Sequence, residues 1–373
     1  MQTPLLFFLA ALPAFQINTI TCHGNEDFPN ITTVLVFGDS SVDTGNNNYL
    51  PTFAKANHNP YGQNFPGQVP TGRFSDGKLV PDFLVSELGI KETIPPFLQP
   101  NLSNFELISG VNFASAGAGY DDFTGSIFDV IPLSQQTGYV RQYFEKLVSI
   151  VGEKEARMIM SRALVVISAG TNDFLFNYYT VPTRKLQFNI SSYQNFVQTR
   201  LKNFVKELYS LGLRIMVVSG LPPIGCLPFQ RALERLVIKE CIQDQNWDSQ
   251  SYNDKLKKLL QIIQNDLKGS KILYSDIYDP VMKMINNPQE YGFAETRRGC
   301  CGTGIFLETG PFCIATSSMC SNSSKYLFFD SVHPGQEAYQ FIFKYSYGRL
   351  LQQYFKNLTY EDHYMHERKY SLQ

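Results

Sequence analysis

Several features that would identify other classes of protein are missing from this sequence. It has no internal repeat, no low-complexity block and no long run of like charges, and its 373 residues carry a formal net charge of -1. Because the basic residues are scattered, the chain lacks the positive patch with which proteins bind nucleic acid. After the N-terminal residues, no segment reaches the roughly 20 apolar residues that cross a bilayer. We therefore expect neither a nucleic-acid partner nor a transmembrane segment.

A proline- or serine-rich linker is also missing, so a single domain is the simplest organisation. With 43% hydrophobic and 17% charged residues, the chain can bury a large core. We expect one domain over residues 24–373, ending in a polar C-terminal tail.

The apolar run at residues 4–17 is too short to span a membrane. Its length suits the hydrophobic region of a secretory signal peptide, although no Lys or Arg precedes it. We assign residues 1–23 to this signal peptide, with cleavage in the low twenties. The prediction is a secreted, extracellular protein.

Cysteine usage agrees with export. Of the seven cysteines, Cys22 lies near the predicted cleavage point, which leaves six. An even number in a secreted chain indicates three disulfides, although six cysteines allow 15 pairings. Locality favours Cys226 with Cys241, and the last four among themselves. A zinc site in the last four would lack the usual two-residue spacing within each ligand pair. The six are Cys226, Cys241, Cys300, Cys301, Cys313 and Cys320.

Five Asn-x-Ser/Thr sequons fit the same compartment, although such triplets also arise by chance. The predicted glycosylation sites are Asn30, Asn101, Asn189, Asn322 and Asn357.

Apolar strand-like runs alternate with amphipathic helical segments along the chain, which favours a parallel sheet covered by helices on both faces. The predicted strands are residues 34–37, 163–168, 214–219 and 271–275. The longer predicted helices are residues 133–162, 193–211 and 243–267. A further short strand is predicted within residues 110–119.

Ser40 follows the first of these strands. Residues 34–37, Val-Leu-Val-Phe, form an apolar run rich in β-branched and aromatic residues that ends at Gly38, as a buried strand does. The turn through Asp39 would lift Ser40 out at the carboxyl end of its strand, where open α/β sheets bind ligands. Alone, this segment fits an ordinary strand exit at least as well. Three further segments supply the other parts of an acyl-transfer site.

The second segment, residues 330–334, reads Asp-Ser-Val-His-Pro. Pro334, as the first residue of a helix, would fix its own φ and keep His333 out of the α region. Asp330 is then close enough to bond to one ring nitrogen of His333, as the third member of a catalytic triad does. Of the five histidines, His333 is the one that follows a buried strand-like run.

The other two segments could hold an oxyanion. Residues 170–173 follow a buried strand, and the side-chain amide of Asn172 could donate to a developing negative charge. Equally, Asn172 or Asp173 could cap the next turn. Residues 114–119 are glycine-rich, so a backbone N–H could approach a ligand closely, although a plain tight turn explains them too.

In this order, the four segments resemble the plant branch of the GDSL esterase/lipase family, also called SGNH hydrolases. The resemblance runs from about residue 33 to residue 350, and implies a three-layer α/β/α fold with a flavodoxin-like parallel sheet. Ser41 stands where the namesake motif has Leu, and Phe329 where an aromatic such as Trp is common. Neither change removes a catalytic group. The resemblance implies that Ser40 is the nucleophile, that His333 is the base and that Asp330 orients it. It also implies an oxyanion hole made by Ser40, Gly117 and Asn172.

The function that this implies is a secreted serine esterase or lipase acting on acyl esters without a metal or organic cofactor. We expect a monomer with a small-molecule or polymer-linked ester as its substrate. Two alternatives stay open: transfer of the acyl group to a sugar or lipid hydroxyl, and a non-catalytic binding protein of this fold.

The α/β-hydrolase fold is excluded because no Gly-x-Ser-x-Gly pentapeptide occurs. Arg73 could meet an anionic substrate, but a structural role in its turn is favoured.

Overall fold

The structure, a computed structural model, describes residues 31–234, 240–302 and 313–354. The predicted signal peptide, the predicted tail and two predicted glycosylation sites, Asn30 and Asn357, lie outside the described residues.

Four short strands form a parallel sheet in which each strand pairs with the next along the chain. They are β1 (Val34–Gly38), β2 (Leu164–Ser168), β3 (Ile215–Ser219) and β4 (Lys271–Ser275). β1 and β3 are wholly buried, as strands of a parallel sheet covered on both faces are. The register pairs Gly38 with Ser168, so β1 and β2 end at the same edge of the sheet.

Residues 111–113 extend this sheet beyond β1. The Val36 N–H donates to the Val111 carbonyl (3.2 Å), and the Phe113 N–H donates to the Val36 carbonyl (2.7 Å). The predicted strand is present here only as an isolated parallel bridge at Asn112. With this segment counted as the second strand along the chain, the strands lie in the order 111–113, β1, β2, β3, β4, which is the flavodoxin-like order 2-1-3-4-5. The ligand-binding crevice of such a sheet lies where the order reverses, which here is between β1 and β2.

Helices cover both faces of the sheet. In chain order the helices are α1 (Val80–Glu87), α2 (Asn104–Ser109), α3 (Asp122–Phe128), α4 (Leu133–Val151), α5 (Glu153–Arg162), α6 (Ile190–Ser210), α7 (Pro228–Glu234), α8 (Gln243–Asp266), α9 (Tyr278–Asn286), α10 (Gln336–Ile342) and α11 (Arg349–Tyr354). Two further segments, Asp173–Thr180 and Phe343–Gly348, are π-helical. In one group of helices, α2 packs with α4, α4 with α6 and α6 with α8. In the other group, α10 packs against α1 and α9. This three-layer α/β/α arrangement is the predicted fold.

A small second sheet and the disulfides organise the C-terminal part. β5 (Glu295–Gly299) pairs in parallel with β6 (Tyr326–Phe328). The four cysteines considered for zinc form two disulfides instead, and the remaining pair forms the third. The disulfides are Cys226–Cys241, Cys300–Cys320 and Cys301–Cys313. Over the described ranges, none of the helices combines the length and apolar character needed to cross a membrane.

The prediction that Pro334 opens a helix is wrong. α10 begins at Gln336 after Gly335, while Pro334 forms a bridge with Phe328. The Gln336 N–H donates to the Asp76 carboxylate at 2.7 Å, so the start of the helix is satisfied by a side chain from a distant loop. Because the two residues are 260 positions apart, nothing in the sequence near Gln336 predicts this start of the helix.

Candidate active site

Ser40 lies in a tight turn at the end of β1. The Gly38 φ is +143°, and a Cβ there would lie 1.9 Å from the Ser168 carbonyl oxygen, so the turn requires glycine. The Asp39 N–H donates to that same carbonyl at 3.0 Å. The backbone therefore turns away from the sheet immediately before Ser40, which is 7% exposed.

Ser40 and His333 are joined directly across the fold. His333 Nε2 lies 2.7 Å from Ser40 Oγ, although 293 residues separate them in the chain. His333 Nδ1 lies 2.7 Å and 2.9 Å from the two carboxylate oxygens of Asp330. With Nδ1 bonded to the carboxylate, Nε2 is free to accept a proton from the serine hydroxyl. The structure thus brings together the three side chains predicted from the sequence.

The loop that carries Asp330 and His333 is held by its own hydrogen bonds. Asp330 Oδ1 accepts the N–H groups of Val332 (2.8 Å) and His333 (2.7 Å). The Phe329 N–H donates to the His333 carbonyl at 2.8 Å, which closes the loop. These bonds explain how a short separation in the sequence becomes a fixed carboxylate–imidazole geometry.

A second, smaller apolar cluster packs behind this pair. The Phe74 ring lies 4.9 Å from the His333 ring, and Tyr61 packs against both Phe74 and Phe329. The Tyr61 hydroxyl donates to Asp330 Oδ2 at 2.9 Å. Sequence reasoning did not single out Tyr61, since it lies in a long loop 269 residues from Asp330.

The backbone N–H groups of Ser40 and Gly117 are buried and have no acceptor within the described part of the chain. Gly117 has φ +87°, and a Cβ at this position would lie 3.0–3.2 Å from the Phe128 side chain. Unpaired buried N–H groups are rare and mark positions where a ligand can accept a hydrogen bond.

Asn172 faces the same cavity as Ser40 and His333. Its side-chain amide donates to the Ala118 carbonyl at 2.9 Å, which places Asn172 beside the glycine-rich turn and leaves a second amide hydrogen. The side chain makes no capping bond to the π-helix that follows it. The capping alternative considered from the sequence is therefore wrong for Asn172.

Asp173, the next residue, is structural. Its carboxylate accepts the N–H groups of Tyr120 (2.9 Å) and Asp121 (3.0 Å), and the hydroxyl of Thr124. Burial raises the pKa of Asp173 to about 7. Asp173 thus anchors the start of α3 instead of capping the turn after it.

The asparagines after Ser40 brace the glycine-rich turn. The Asn46 amide donates to the carbonyls of Asn112 (2.9 Å) and Ala114 (2.7 Å), and the Asn47 amide donates to that of Ala116 (2.9 Å). The Asp43 carboxylate accepts the Ala116 N–H at 3.0 Å. These buried contacts hold the segment before Gly117 against the loop that carries Ser40.

Asp39, beside the serine, is also buried. Burial raises its pKa to about 6, against the hydrogen bonds that Ser41 donates. Asp39 Oδ1 accepts the Ser41 N–H (3.0 Å) and its hydroxyl (2.7 Å), and Ser41 Oγ lies 3.1 Å from Ser168 Oγ. The serine that replaces the leucine of the namesake motif therefore ties the turn to the end of β2.

A cavity of about 80 Å³ opens from Ser40 and His333 into the fold. Inside it, Ser219 Oγ lies 2.9 Å from the Tyr347 hydroxyl. An apolar cavity beside a serine–histidine pair suits the hydrocarbon part of an ester. Its apolar walls include Val42, Val80, Leu227, Ile277, Val281 and Ile342.

Comparison with known proteins shows a family match over most of the chain. A family model described as GDSL-like Lipase/Acylhydrolase matches residues 34–346. The chain is 55% identical over 317 residues to GDSL esterase/lipase At1g58430 of Arabidopsis thaliana, covering 84% of this chain and 88% of that protein. It is 52% identical over 317 residues to GDSL esterase/lipase At2g31550 of the same plant, with the same coverage. It is 51% identical over 328 residues to GDSL esterase/lipase At2g30220, also from that plant, covering 87% of this chain and 91% of that protein.

Proposed function

The chain belongs to the GDSL-like lipase/acylhydrolase family and is an ester hydrolase, and from this premise we propose that it is a secreted serine esterase. In this proposal Ser40 is the nucleophile, His333 the general base and Asp330 its orienting carboxylate. The observation that carries it is the continuous hydrogen-bonded series from Ser40 through His333 to Asp330.

The reaction begins when Ser40 Oγ attacks the ester carbonyl and His333 Nε2 takes the hydroxyl proton. Asp330, bonded to Nδ1, stabilises the imidazolium that forms. His333 then gives the proton to the leaving alcohol, and the acyl group stays on Ser40. Water, activated by the same imidazole, frees the acid and restores the serine.

The negative charge on the carbonyl oxygen develops only during attack. We assign its stabilisation to the backbone N–H groups of Ser40 and Gly117 and to the Asn172 amide. Donors held in place before the reaction stabilise such a charge without reorganising, which makes them effective in a buried site. The two unpaired N–H groups support this assignment. Gly117 does not itself line the cavity, but its neighbour Ala118 is bonded to Asn172.

The apolar cavity supports an acyl chain as the part of the substrate that enters the protein. The described residues that line it include no Lys or Arg, so none of them would favour an anionic acyl group. We therefore propose neutral carboxylic esters as the substrate class.

Secretion is supported by the three disulfides, which persist in oxidising compartments. The described sequon residues Asn101, Asn189 and Asn322 are all exposed, as glycosylation requires. We propose that these three carry glycans and that the secreted protein is a monomer. Peptide mapping and analytical ultracentrifugation of the secreted protein check the two points.

The proposed function is tested with nitrophenyl esters of graded acyl length. The wild-type protein should hydrolyse at least part of this series. Ser40→Ala should reduce turnover to within roughly 10³–10⁴ of the uncatalysed rate and leave the unfolding midpoint nearly unchanged. Wild-type turnover in a clean Ser40→Ala preparation would end the assignment.

A further inference from the structure

Tyr61 lies directly behind the carboxylate of the triad. Its side chain is wholly buried, and its ring packs against Phe74 and Phe329. The hydroxyl has two neighbours: it donates to Asp330 Oδ2 at 2.9 Å and accepts the Cys313 N–H at 3.2 Å. The contact to Asp330 therefore occurs in a water-excluded setting, where a hydrogen bond to a charged oxygen is strong.

The Cys313 N–H fixes which way the Tyr61 proton points. A backbone N–H can only donate, so it occupies a lone pair of the Tyr61 oxygen, and the single hydroxyl proton is directed to Asp330. Burial and the nearby Asp330 charge raise the pKa of Tyr61 well above its ordinary value. The phenol therefore stays a donor.

The two oxygens of the Asp330 carboxylate have different partners. Oδ1 accepts the N–H groups of Val332 and His333, which shape the loop. Oδ2 makes the closer contact to His333 Nδ1, at 2.7 Å, and it is this oxygen that Tyr61 contacts. Without Tyr61, the imidazole would be the only partner of this oxygen among the described residues.

We propose that Tyr61 is a positioning residue of the triad. Its hydroxyl orients the Asp330 carboxylate and, by donating a hydrogen bond, partly neutralises the negative charge on Oδ2. The inference rests on the proposed function, because it acts through the same imidazole. A hydrogen-bond donor on Oδ2 weakens the electrostatic attraction between the carboxylate and the imidazolium. Tyr61 therefore sets how strongly His333 binds its proton.

The Cys301–Cys313 disulfide makes this arrangement part of the fold. It binds Cys313 to Cys301, whose N–H donates to the Phe329 carbonyl at 2.7 Å. Phe329 is the residue before Asp330. The disulfide and a short backbone hydrogen bond therefore link Cys313, which orients the Tyr61 hydroxyl, to the loop that carries Asp330.

Other titratable groups face this assembly and are left intact by the test. Asp39 faces His333 from the turn after β1, and Tyr339 faces Asp330 and Tyr61 from α10. The His58 ring lies 5.5 Å from the Tyr61 ring on the side of the long loop.

The first test is the pH profile of kcat/KM for Tyr61→Phe. Its acidic limb reports the free enzyme's essential base. We expect the limb to move up by about 0.5–1 pH unit, because the imidazolium faces a less neutralised carboxylate. We expect kcat to fall roughly 3- to 30-fold as the carboxylate loses an anchor. KM should stay unchanged, since Tyr61 does not line the cavity.

The matched control is Tyr143→Phe. Tyr143 is also wholly buried, and its hydroxyl donates to the Leu107 carbonyl at 2.7 Å, away from the site. This variant should lose stability and keep the wild-type pH profile. A Tyr61→Phe profile that superimposes on the wild-type profile would overturn the inference.

A second variant covers the case in which Tyr61→Phe does not fold. Site-specific replacement of Tyr61 by 3-fluorotyrosine keeps the ring and its packing and makes the phenol a stronger donor. The acidic limb should then move to lower pH, opposite to the shift in Tyr61→Phe. An unmoved limb in this variant rejects the role of Tyr61. Wild-type turnover in Ser40→Ala would instead reject the proposed function itself.

Discussion

Arg73 and Asp82 form a buried ion pair that is joined at two points. Arg73 Nε and Nη2 lie 2.8 Å and 2.7 Å from the two carboxylate oxygens of Asp82. The remaining Arg73 donors reach the Thr44 and Ile94 carbonyls and the Thr71 hydroxyl. Arg73 does not line the cavity beside Ser40 and His333. The pair ties the loop after β1 to the start of α1, which is the structural role favoured for Arg73 over contact with an anionic substrate.

Arg73→Ala should therefore destabilise the fold. Removing one member of a buried pair leaves an uncompensated charge and costs about 3–5 kcal/mol of the free energy of unfolding. The measurement is denaturant unfolding at neutral pH. The control is Arg157→Ala, which removes an exposed pair with Glu153 and should cost less than about 0.5 kcal/mol. Equal, small losses in both variants would show that the Arg73 pair does not stabilise the fold.

Gly117→Ala should impair both folding and turnover. A side chain at φ +87° costs about 1–3 kcal/mol in strain, and the new Cβ would press on the Phe128 ring. Because the N–H must shift to relieve that contact, kcat should fall by roughly 10²-fold, as a 1 Å misplacement does elsewhere.

Gly138→Ala is the control for this substitution. Gly138 is exposed within α4, and a Cβ there would meet nothing within 4 Å. This variant should keep wild-type kcat and gain about 0.4–1 kcal/mol of stability. If both alanine variants had the same kcat, Gly117 would have no part in holding the oxyanion.

Asn172→Ala should lower kcat by roughly 10²–10³ with little change in KM, because the charge on the substrate oxygen develops only after attack. Loss of the bond to Ala118 should also cost about 1 kcal/mol of folding stability. Turnover is therefore compared per folded molecule, with the unfolding midpoint measured on the same preparation. An unchanged kcat would remove Asn172 from the site.

We expect three buried aspartates to make the fold more stable in mild acid than at neutral pH. Burial raises the pKa of Asp39 and of Asp43 to about 6 and that of Asp173 to about 7, from the ordinary 3.8. Between these values the folded chain binds more protons than the unfolded chain, so the free energy of unfolding decreases as pH rises. This contribution is complete below about pH 4 and is lost by about pH 7.

We therefore expect the thermal unfolding midpoint to be higher at pH 5 than at pH 8 at constant ionic strength. A midpoint that increases from pH 5 to pH 8 would contradict the proton uptake assigned to these carboxyls.

The sequence predicted those parts of the fold that local pattern determines. Buried parallel strands are short apolar runs, so β1 to β4 were recognisable, and the bonds from Asp330 to His333 follow from a three-residue separation. β5 was missed because Glu295–Gly299 is polar and becomes a strand only through its pairing with β6.

Buried polar contacts between distant segments were the other features missed. Asn46 and Asn47 belong to a polar run without an apolar periodicity, yet both are 1% exposed and brace the glycine-rich turn. Tyr61 reaches Asp330 only because the long loop that carries Tyr61 folds back over the segment that carries Asp330 and His333. Such contacts have no periodicity in the sequence, so they become visible only in three dimensions.

The central claim, that Ser40 is a nucleophile activated by His333, is tested most directly by covalent capture. The protein is incubated with an alkyl fluorophosphonate, which an activated serine attacks at phosphorus with loss of fluoride, and the labelled residue is located by peptide mass spectrometry. We predict one phosphonyl group per molecule on Ser40, and none after Ser40→Ala or His333→Ala. Label on another serine, or undiminished Ser40 labelling in His333→Ala, would contradict the account.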